Sequence, residues 1–559
     1  MEEWQKEFGK NTYYLADSFN EMELPVNTDD PKTRDQMLSA LGEQVYRSIS
    51  SVNPDAVWVM QGWMFGYQRH IWNADSLKAL LSKVPDDQML LLDLAADYNK
   101  TFWHNGMNWD VFKGFFNKPW VYSVIPNMGG KCAMTGVIDF YANGHLEALE
   151  SASKGKLAGM GMAPEGIENN DVLYELVTDA AWRDRRENVE QWLENYCRAR
   201  YGACPDSLKT AWSLFRSTAY SNLKDHLRFN WQLKPGARSS SVDASEDFLR
   251  GLALFVNTEG LEHSPLFRQD AVEMAVHYLG IRMHEAIQAA LEALDEQNPE
   301  HAEKCMARFR EYALQADALL ESHPTWRLSR WISFARAHGK TGEEKDAYEE
   351  NARRLVTIWG PPVNDYAAKL WSGLIRDYYL PRWEHFFQNR LKDKAPDMEA
   401  WEEAWVHSHG VSPARRPGDI IRACRQYVRE AKPLPLSLKG GGSGSAIGNW
   451  TPAEVSTEWK WMAWPVSPDD LKNLRGVRFT YTSGRHALEI EQVELVGDGR
   501  MIDGRRHAGL AGKPSRENCY QLSLPEGVHA NNGLLIRAKV RTVGGNDSRG
   551  KIELLKKNG

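Results

Sequence analysis

Residues 157–166 read LAGMGMAPEG, and this short stretch decides how the first part of the chain is interpreted. It is almost continuously apolar or small, which is typical of a parallel strand that is buried on both faces. The run ends at Glu165, and a polar turn follows. In a sheet of successive strand–helix units, side chains at the carboxyl ends of the strands are the ones that carry chemistry.

Four similar runs precede this one, and helix-like segments such as residues 32–50 and 74–84 separate them. The four runs are residues 12–21, 56–63, 89–96 and 120–130. A repeat of about 25–45 residues predicts βα units and fits a (β/α)8 TIM-type barrel. A closed barrel of that type has eight strands. We therefore expect residues 1–175 to form the C-terminal part of a catalytic barrel, with three strands supplied by other sequence, or else an open sheet.

The rest of the chain divides into a helical part and a β part. Residues 176–432 have a period near 3.6, as in NVEQWLENYCRARYG from residue 188, which predicts an all-α domain. Residues 433–449 form a stretch rich in Pro, Gly and Ser that is typical of a linker. Residues 450–559 alternate with period two between Gly and Asn turns, which predicts an antiparallel β-sandwich.

The composition excludes several classes of protein. Apolar residues make up 42% of the 559 residues and charged residues 26%, as in ordinary globular proteins. The net charge of -7 argues against a protein that coats nucleic acid. No apolar run is long enough for a transmembrane helix, and the N-terminus MEEWQKEFGK lacks the apolar core of a signal peptide. The six cysteines show no zinc spacing, and Cys197 and Cys204 are expected to be free thiols.

Two carboxylates are the best candidates for catalysis. Glu21 ends the first predicted strand, and Glu165 ends the fifth, so both should face the same edge of the sheet. Two facing carboxyl groups in an aromatic pocket are the catalytic groups that a glycoside hydrolase needs. The aromatic residues near other strand ends, which we expect to line that pocket, are Trp58, Trp63, Tyr98, Trp103, Trp109 and Trp120.

Several long motifs resemble the α-N-acetylglucosaminidase family, glycoside hydrolase family 89. They are ADSFNEM from residue 16, VWVMQGWMF from 57, LLLDLAAD from 90, NMGG from 127, GMAPEGIENNDVLYEL from 161 and the helical stretch 351–387. The resemblance covers residues 1–432. It implies a retaining exo-hydrolase that releases terminal α-linked N-acetylglucosamine from glycans without a cofactor or metal.

The same resemblance implies a role for individual residues. Glu21 corresponds to the general acid/base and Glu165 to the nucleophile. The residues that correspond to sugar-binding positions are Asn20, Trp63, Asn127, Trp359 and Tyr366. The last two belong to the helical domain, which closes over the sugar in this family.

The sequence also departs from the family pattern. Family members carry an N-terminal domain and the first barrel strands before the FNEM motif, whereas only about 20 residues precede it here. A separate N-terminal fragment could complete the barrel, and a periplasmic, secreted or lysosomal location is expected only for a full-length protein. The alternatives are a non-catalytic carbohydrate-binding or scaffold remnant, and a hexosaminidase or α-glycosidase of different sugar specificity.

Overall fold

The computed structural model describes most of the chain. The described residues are 1–17, 21–25, 30–130, 132–166, 170–237, 242–295, 298–360, 363–392, 394–411, 416–432, 445–471, 474–506, 509–512, 517–522, 524 and 534–556. The chain divides into two compact units, residues 1–281 with 311–431 and residues 282–310 with 432–559. Among the described helices, none combines the length and the apolar character that crossing a bilayer requires.

The first unit contains seven strands within the described ranges. They are β1 (Tyr13–Leu15), β2 (Val57–Gln61), β3 (Met89–Asp93), β4 (Pro119–Val124), β5 (Gly136–Val137), β6 (Lys156–Met162) and β7 (Ser221–Asn222). Five of them form a parallel sheet in the order β1-β2-β3-β4-β6. Each strand therefore pairs with its predecessor in that series, as the repeated βα units predicted. The strands therefore follow one another in chain order from one edge of the sheet to the other. In a doubly wound sheet, the strand order reverses at a central strand.

Helices fill the rest of the first unit, and two of them continue into the second. They are α1 (Glu2–Phe8), α2 (Pro31–Ser50), α3 (Met64–Tyr67), α4 (Ala74–Leu81), α5 (Ala96–Thr101), α6 (Asn108–Val111), α7 (Ile138–Glu150), α8 (Asp171–Ala180), α9 (Val189–Tyr201), α10 (Asp206–Ser217), α11 (Glu246–Val256), α12 (Pro265–Asp295), α13 (Pro299–Leu320), α14 (Leu328–Ala337), α15 (Gly342–Leu355), α16 (Leu380–Leu391), α17 (Met398–Val406) and α18 (Ile420–Glu430). The helical part also contains β7, which pairs antiparallel with β5. This short pair was not predicted, because two residues are too few to show a period.

Central and edge strands of the parallel sheet differ in burial. Three successive residues of β2, Trp58, Val59 and Met60, are buried, as expected for a strand covered on both faces, whereas β3 alternates between buried and half-buried residues. At one edge, Tyr13 and Leu15 of β1 are 63% and 59% exposed. At the other edge, most residues of β6 are exposed or only half-buried. The apolar edges of this sheet are thus uncovered within the described residues.

The second unit contains two antiparallel sheets. Their strands are β8 (Ser445–Trp450), β9 (Lys460–Pro465), β10 (Leu474–Ser483), β11 (Leu488–Gly497), β12 (Arg500–Arg505), β13 (Gly509–Ala511), β14 (Glu517–Gln521), β15 (Leu535–Thr542) and β16 (Arg549–Lys556). One sheet has the order β14-β10-β16-β8, and the other has the order β12-β11-β15-β9 with β13 beside β11. Both sheets contribute to one hydrophobic core. Strand β8 begins inside the stretch that was predicted to be a linker, and residues 433–444 lie outside the described residues.

Candidate active site

Glu165 lies three residues beyond strand β6, at the carboxyl edge of the parallel sheet. Its side chain is exposed, and its Oε2 atom accepts two hydrogen bonds. The backbone N–H of Gly129 donates at 2.6 Å, and the hydroxyl of Tyr366 donates at 2.9 Å. The carboxylate is therefore oriented by a loop after β4 and by a residue from the helical region. Within the described residues, the other carboxylate oxygen accepts no hydrogen bond and is available for chemistry.

The loop after β4 can approach Glu165 because it contains two glycines. Gly129 and Gly130 have φ angles of 68° and 57°, in the left-handed region that side chains disfavour. A Cβ atom on Gly129 would lie 2.0 Å from Cδ2 of His226, and one on Gly130 would lie 2.9 Å from Cα of Ala367. Both glycines are thus needed for close contact between this loop and its neighbours.

Asn127, which precedes these glycines, is fully buried. Its amide nitrogen donates to the carbonyl of Gly166 at 2.8 Å, and its amide oxygen accepts from Asn170 at 2.8 Å. The N–H of Gly166 in turn donates to the Asn127 carbonyl at 3.2 Å. These contacts place Asn127 beneath the segment that carries Glu165. The hypothesis that Asn127 touches the sugar stays a prediction, but its observed contacts hold Glu165 in position.

Tyr366 is held in place by a buried ionic network beneath it. The preceding residue, Asp365, has a φ of 59° and is buried. Its carboxylate accepts from Arg382 at 2.9 Å and from the backbone N–H of Lys234 at 2.9 Å. Arg382 is itself fully buried and donates to Glu402 at 3.1 Å. Breaking a buried network of this kind is costly, so the turn at Tyr366 is rigid.

Burial and nearby negative charge raise the pKa of Tyr366 above its ordinary value. Burial is the largest cause, the Glu165 carboxylate is the next, and Asp225 and Glu21 also contribute. The hydroxyl therefore stays protonated and remains a donor to Glu165 over the whole neutral range. The contribution from Glu21 is the smallest of these causes.

Glu21 itself is exposed and has a φ of 53°. Within the described part of the chain, neither Glu21 nor Glu165 forms an ion pair. The predicted sugar-binding residue Asn20 lies outside the described residues. Trp359, also predicted to bind sugar, is 37% exposed with a φ of 54°, and its ring centroid lies 5.2 Å from that of Tyr366.

A chain of aromatic contacts leads from the predicted sugar-binding residue Trp63 back to this site. The ring of Trp63 contacts Tyr67 at 5.6 Å between centroids, Tyr67 contacts Trp103 at 5.7 Å, and Trp103 contacts Tyr98 at 5.3 Å. The hydroxyl of Tyr98 donates to Asp225 at 2.9 Å. These four side chains, Trp63, Tyr67, Trp103 and Tyr98, form an aromatic wall with the half-buried Trp63 at one end.

Two residues at the other end of this wall were missed by sequence reasoning. Asp225 lies 2.7 Å from Nδ1 of His226, whose ring centroid is 5.3 Å from that of Tyr366. Both residues follow the two-residue strand β7, which was not predicted from the sequence, and no motif singles them out. Only the three-dimensional contact with Tyr366 and Gly129 reveals them.

The expectation that six aromatic residues line an open pocket was wrong for most of the set. Trp58, Tyr98, Trp109 and Trp120 are at most 1% exposed. Tyr98 still reaches Asp225 through its hydroxyl, whereas Trp109 stacks on Trp120 in the core, where large apolar side chains fill the space between packed elements. A tryptophan near a strand end cannot be assigned to core or pocket from spacing alone.

Comparison with known families relates most of the chain to a single family. Residues 1–184 match the model of the "Alpha-N-acetylglucosaminidase (NAGLU) tim-barrel domain", and residues 192–430 match the model of the C-terminal domain of the same family. The chain belongs to the alpha-N-acetylglucosaminidase family. Human alpha-N-acetylglucosaminidase is 29% identical over 459 residues, which are 78% of this chain and 59% of the human protein. The chain therefore spans little more than half the length of this relative.

Solved structures of the family share the fold of most of this chain. A family 89 glycoside hydrolase from Clostridium perfringens, bound to its substrate GlcNAc-alpha-1,4-galactose, has a TM-score of 0.65 and 24% identity. The match covers 77% of this chain and 50% of that chain. The same enzyme bound to PUGNAc has a TM-score of 0.66, covering 78% and 50% of the two chains.

Proposed function

We propose that this chain acts as a retaining exo-glycosidase that releases terminal α-linked N-acetylglucosamine from glycans. The observation that carries the proposal is the placement of Glu165, exposed beyond β6 and oriented by Gly129 and Tyr366. Membership of the family and the substrates and inhibitors bound by its bacterial relative support it. The substrate complex of that relative carries two Glu-to-Gln substitutions, which agrees with a pair of catalytic glutamates.

In the first step, an oxygen of Glu165 attacks the anomeric carbon of the sugar. The bond to the leaving oxygen breaks, its electron pair goes to that oxygen, and Glu21 delivers a proton to it. Gly129 and Tyr366 bind only one oxygen of Glu165, so the carboxylate can attack with the other. The product is a glycosyl ester on Glu165 and a released alcohol.

In the second step, water replaces the alcohol. Glu21, now ionised, takes a proton from the water while the water oxygen attacks the anomeric carbon and the ester bond to Glu165 breaks. Two inversions leave the sugar in its original α configuration. Such a mechanism needs the two carboxyl groups at about 5–5.5 Å, because the nucleophile must reach the carbon directly.

Aromatic side chains supply the walls of the sugar site in this proposal. Trp359 and Tyr366 cover the sugar from the helical region, and Trp63 flanks it from the sheet. Asn20 contributes a hydrogen bond from the residue next to Glu21. Asn127 remains a predicted sugar contact, and its amide, buried against Gly166, also holds the segment that carries Glu165.

The parallel sheet supports a further part of the proposal. Its edge strands β1 and β6 expose apolar residues, and strands with open apolar edges are normally paired or covered. We propose that three more strands, from a separate N-terminal fragment or other sequence, join these edges into an eight-stranded barrel. The second unit then serves as a β-sandwich accessory domain.

Hydrolysis of synthetic aryl glycosides tests the function. The full chain, alone and with an added N-terminal fragment of a family member, is assayed with an aryl α-N-acetylglucosaminide, its β-anomer and its galacto-epimer. We expect release from the first substrate only, with the α-anomer of N-acetylglucosamine as the initial product by NMR. Equal activity on the galacto-epimer would favour the different-specificity alternative, and inactivity in both mixtures would favour the non-catalytic one.

A further inference from the structure

The outer face of one sheet in the second unit carries three ordered columns of side chains. Strand β9 and the residue before it place Trp461 and Trp459 on this face, beside a column of cations on β15. Arg537 lies over the ring of Trp461 and Arg541 over that of Trp459, each with 4.6 Å between the guanidinium carbon and the ring centroid. Lys539 lies between them, directly opposite Trp461 in the register.

A column of carboxylates on β11 neutralises these cations. Arg541 pairs with Glu489, Lys539 with Glu491 and Arg537 with Glu494, each at 2.6 Å. Strict alternation would put positions 489 and 494 on opposite faces of the strand. A register shift between Ile490 and Gln492 brings them to the same face.

This arrangement fixes the two indole rings and pairs every cation of the column. Glu491 also accepts from Arg506 at 3.2 Å, so four cations meet three carboxylates and only a small positive excess is left for an anionic polysaccharide or nucleic acid. Trp461 nevertheless stays 43% exposed. An exposed indole beside cations that are already paired suits a flat, uncharged ligand.

Trp461 also borders a shallow groove, open to solvent, at the edge strand β9. Its polar lining is Asn449, Thr451, Glu454 and Lys460. Glu454 accepts from the Thr451 hydroxyl at 2.7 Å. Within the described residues, the side chains of Asn449 and Lys460 have no hydrogen-bond partner, so an amide and an ammonium group are available to a ligand.

We propose that this groove binds a neutral glycan, with Trp461 stacked on one pyranose ring and Asn449, Glu454 and Lys460 bound to its hydroxyl groups. The choice follows from chemistry: sugars combine an apolar ring face with a rim of hydroxyls, which matches an indole beside mixed donors and acceptors. The site is separate from Glu165 and does not depend on the proposed hydrolysis. It would hold a glycan chain on the protein without reacting with it.

Isothermal titration of the full chain tests this site. The probes are methyl glycosides of glucose, galactose, N-acetylglucosamine and N-acetylgalactosamine. We expect at least one to bind, with a Kd raised about tenfold or more in Trp461→Ala and partly restored in Trp461→Phe. Trp182→Ala, which changes a tryptophan that is 91% exposed in the first unit, is the matched control and should bind like the parent.

Two further comparisons separate glycan binding in this groove from catalysis at Glu165 and from binding driven by charge. Glu165→Gln should keep the binding that Trp461→Ala loses, so failure of the catalytic proposal would leave this result intact. The Kd should be equal at about 50 mM and about 500 mM salt, because the ligand is uncharged. The proposal is overturned if no glycoside binds or if Trp461→Ala binds normally. It is also overturned if only sulfated glycans bind at low salt. A concentration-dependent dimer in which β9 pairs with a second copy would overturn it as well.

Discussion

Glu165 and Glu21 both follow strands of one parallel sheet, yet their surroundings differ. Glu165 is contacted by a glycine loop and by a tyrosine 201 residues away, and that tyrosine rests on the buried network around Arg382. Glu21 follows the short edge strand β1, whose apolar side chains are exposed. Within the described residues, its side chain has no hydrogen-bond partner.

The difference shows how each residue acquires its position. The carboxylate of Glu165 is placed by packing between the sheet and the helical region, which this chain supplies by itself. The segment of Glu21 lies where the sheet is open, so its final geometry depends on what covers that edge. We therefore expect substitutions around Glu165 to act through this chain alone, and those around Glu21 to depend on the completed barrel.

Replacement of Glu165 should have the largest effect. Glu165→Gln removes the nucleophile, and we expect kcat for an aryl α-N-acetylglucosaminide to fall by at least about 10³-fold. Circular dichroism should be unchanged, since Gln can accept the same two hydrogen bonds. Glu23→Gln, at an exposed position near Glu21, is the control and should keep full activity. Normal turnover in Glu165→Gln would refute the assignment.

Replacement of Glu21 should depend on the leaving group. Without the proton donor, Glu21→Gln should lose about 10²–10³-fold in kcat/KM, which reports the first step only, on a glycan, whose alkoxide leaves poorly. The loss should be much smaller with a nitrophenyl leaving group, which needs little protonation. The two rates are compared in one assay series. An equal loss with both substrates would contradict the acid/base role.

The glycine loop offers a test of the packing around Glu165. Gly129→Ala places a Cβ in a left-handed conformation and against His226, so we expect kcat to fall up to about 100-fold through displacement of the loop. Gly202→Ala has the same backbone penalty, about 1–2 kcal/mol, but no atom within 4 Å of the new Cβ. It should lose stability in urea unfolding and keep its activity. Equal kcat in the two variants would show that the loop does not position Glu165.

Removal of the Tyr366 hydroxyl should have the smallest effect. Tyr366→Phe keeps the ring contacts with Trp359 and His226 but deletes the hydrogen bond to Glu165. We expect kcat to fall about tenfold, the scale of one hydrogen bond to a charged group. Tyr348→Phe on α15 is the control. A fall in unfolding free energy without a change in kcat would mean that the hydroxyl serves only stability.

Local pattern was enough to predict much of the fold. The five parallel strands follow from continuous apolar runs, and α9 follows from the 3.6 period of residues 188–202. Strand β1 is shorter than its predicted run, and β5 and β7 were missed. Those differences arise because short strands depend on their partners rather than on their own residues.

The site was predictable only in part. Glu165 follows from its place after a strand, whereas the contact with Tyr366 joins residues that no local period relates. Family resemblance pointed to Tyr366, and nothing in the sequence pointed to Asp225 or His226. The core positions of Trp109 and Trp120 likewise depend on the depth of the layer between sheet and helices, which spacing does not encode.

Trapping of the glycosyl-enzyme ester tests the central claim most directly. The full chain, with the added N-terminal fragment if that is needed for activity, is incubated with a 5-fluoro α-N-acetylglucosaminyl fluoride, which forms the ester faster than water removes it. Peptide mass spectrometry then locates the added sugar. Our account predicts a single label on Glu165 and none in Glu165→Gln. A label on another carboxylate, or an active enzyme that gives inverted product and no label, would contradict it.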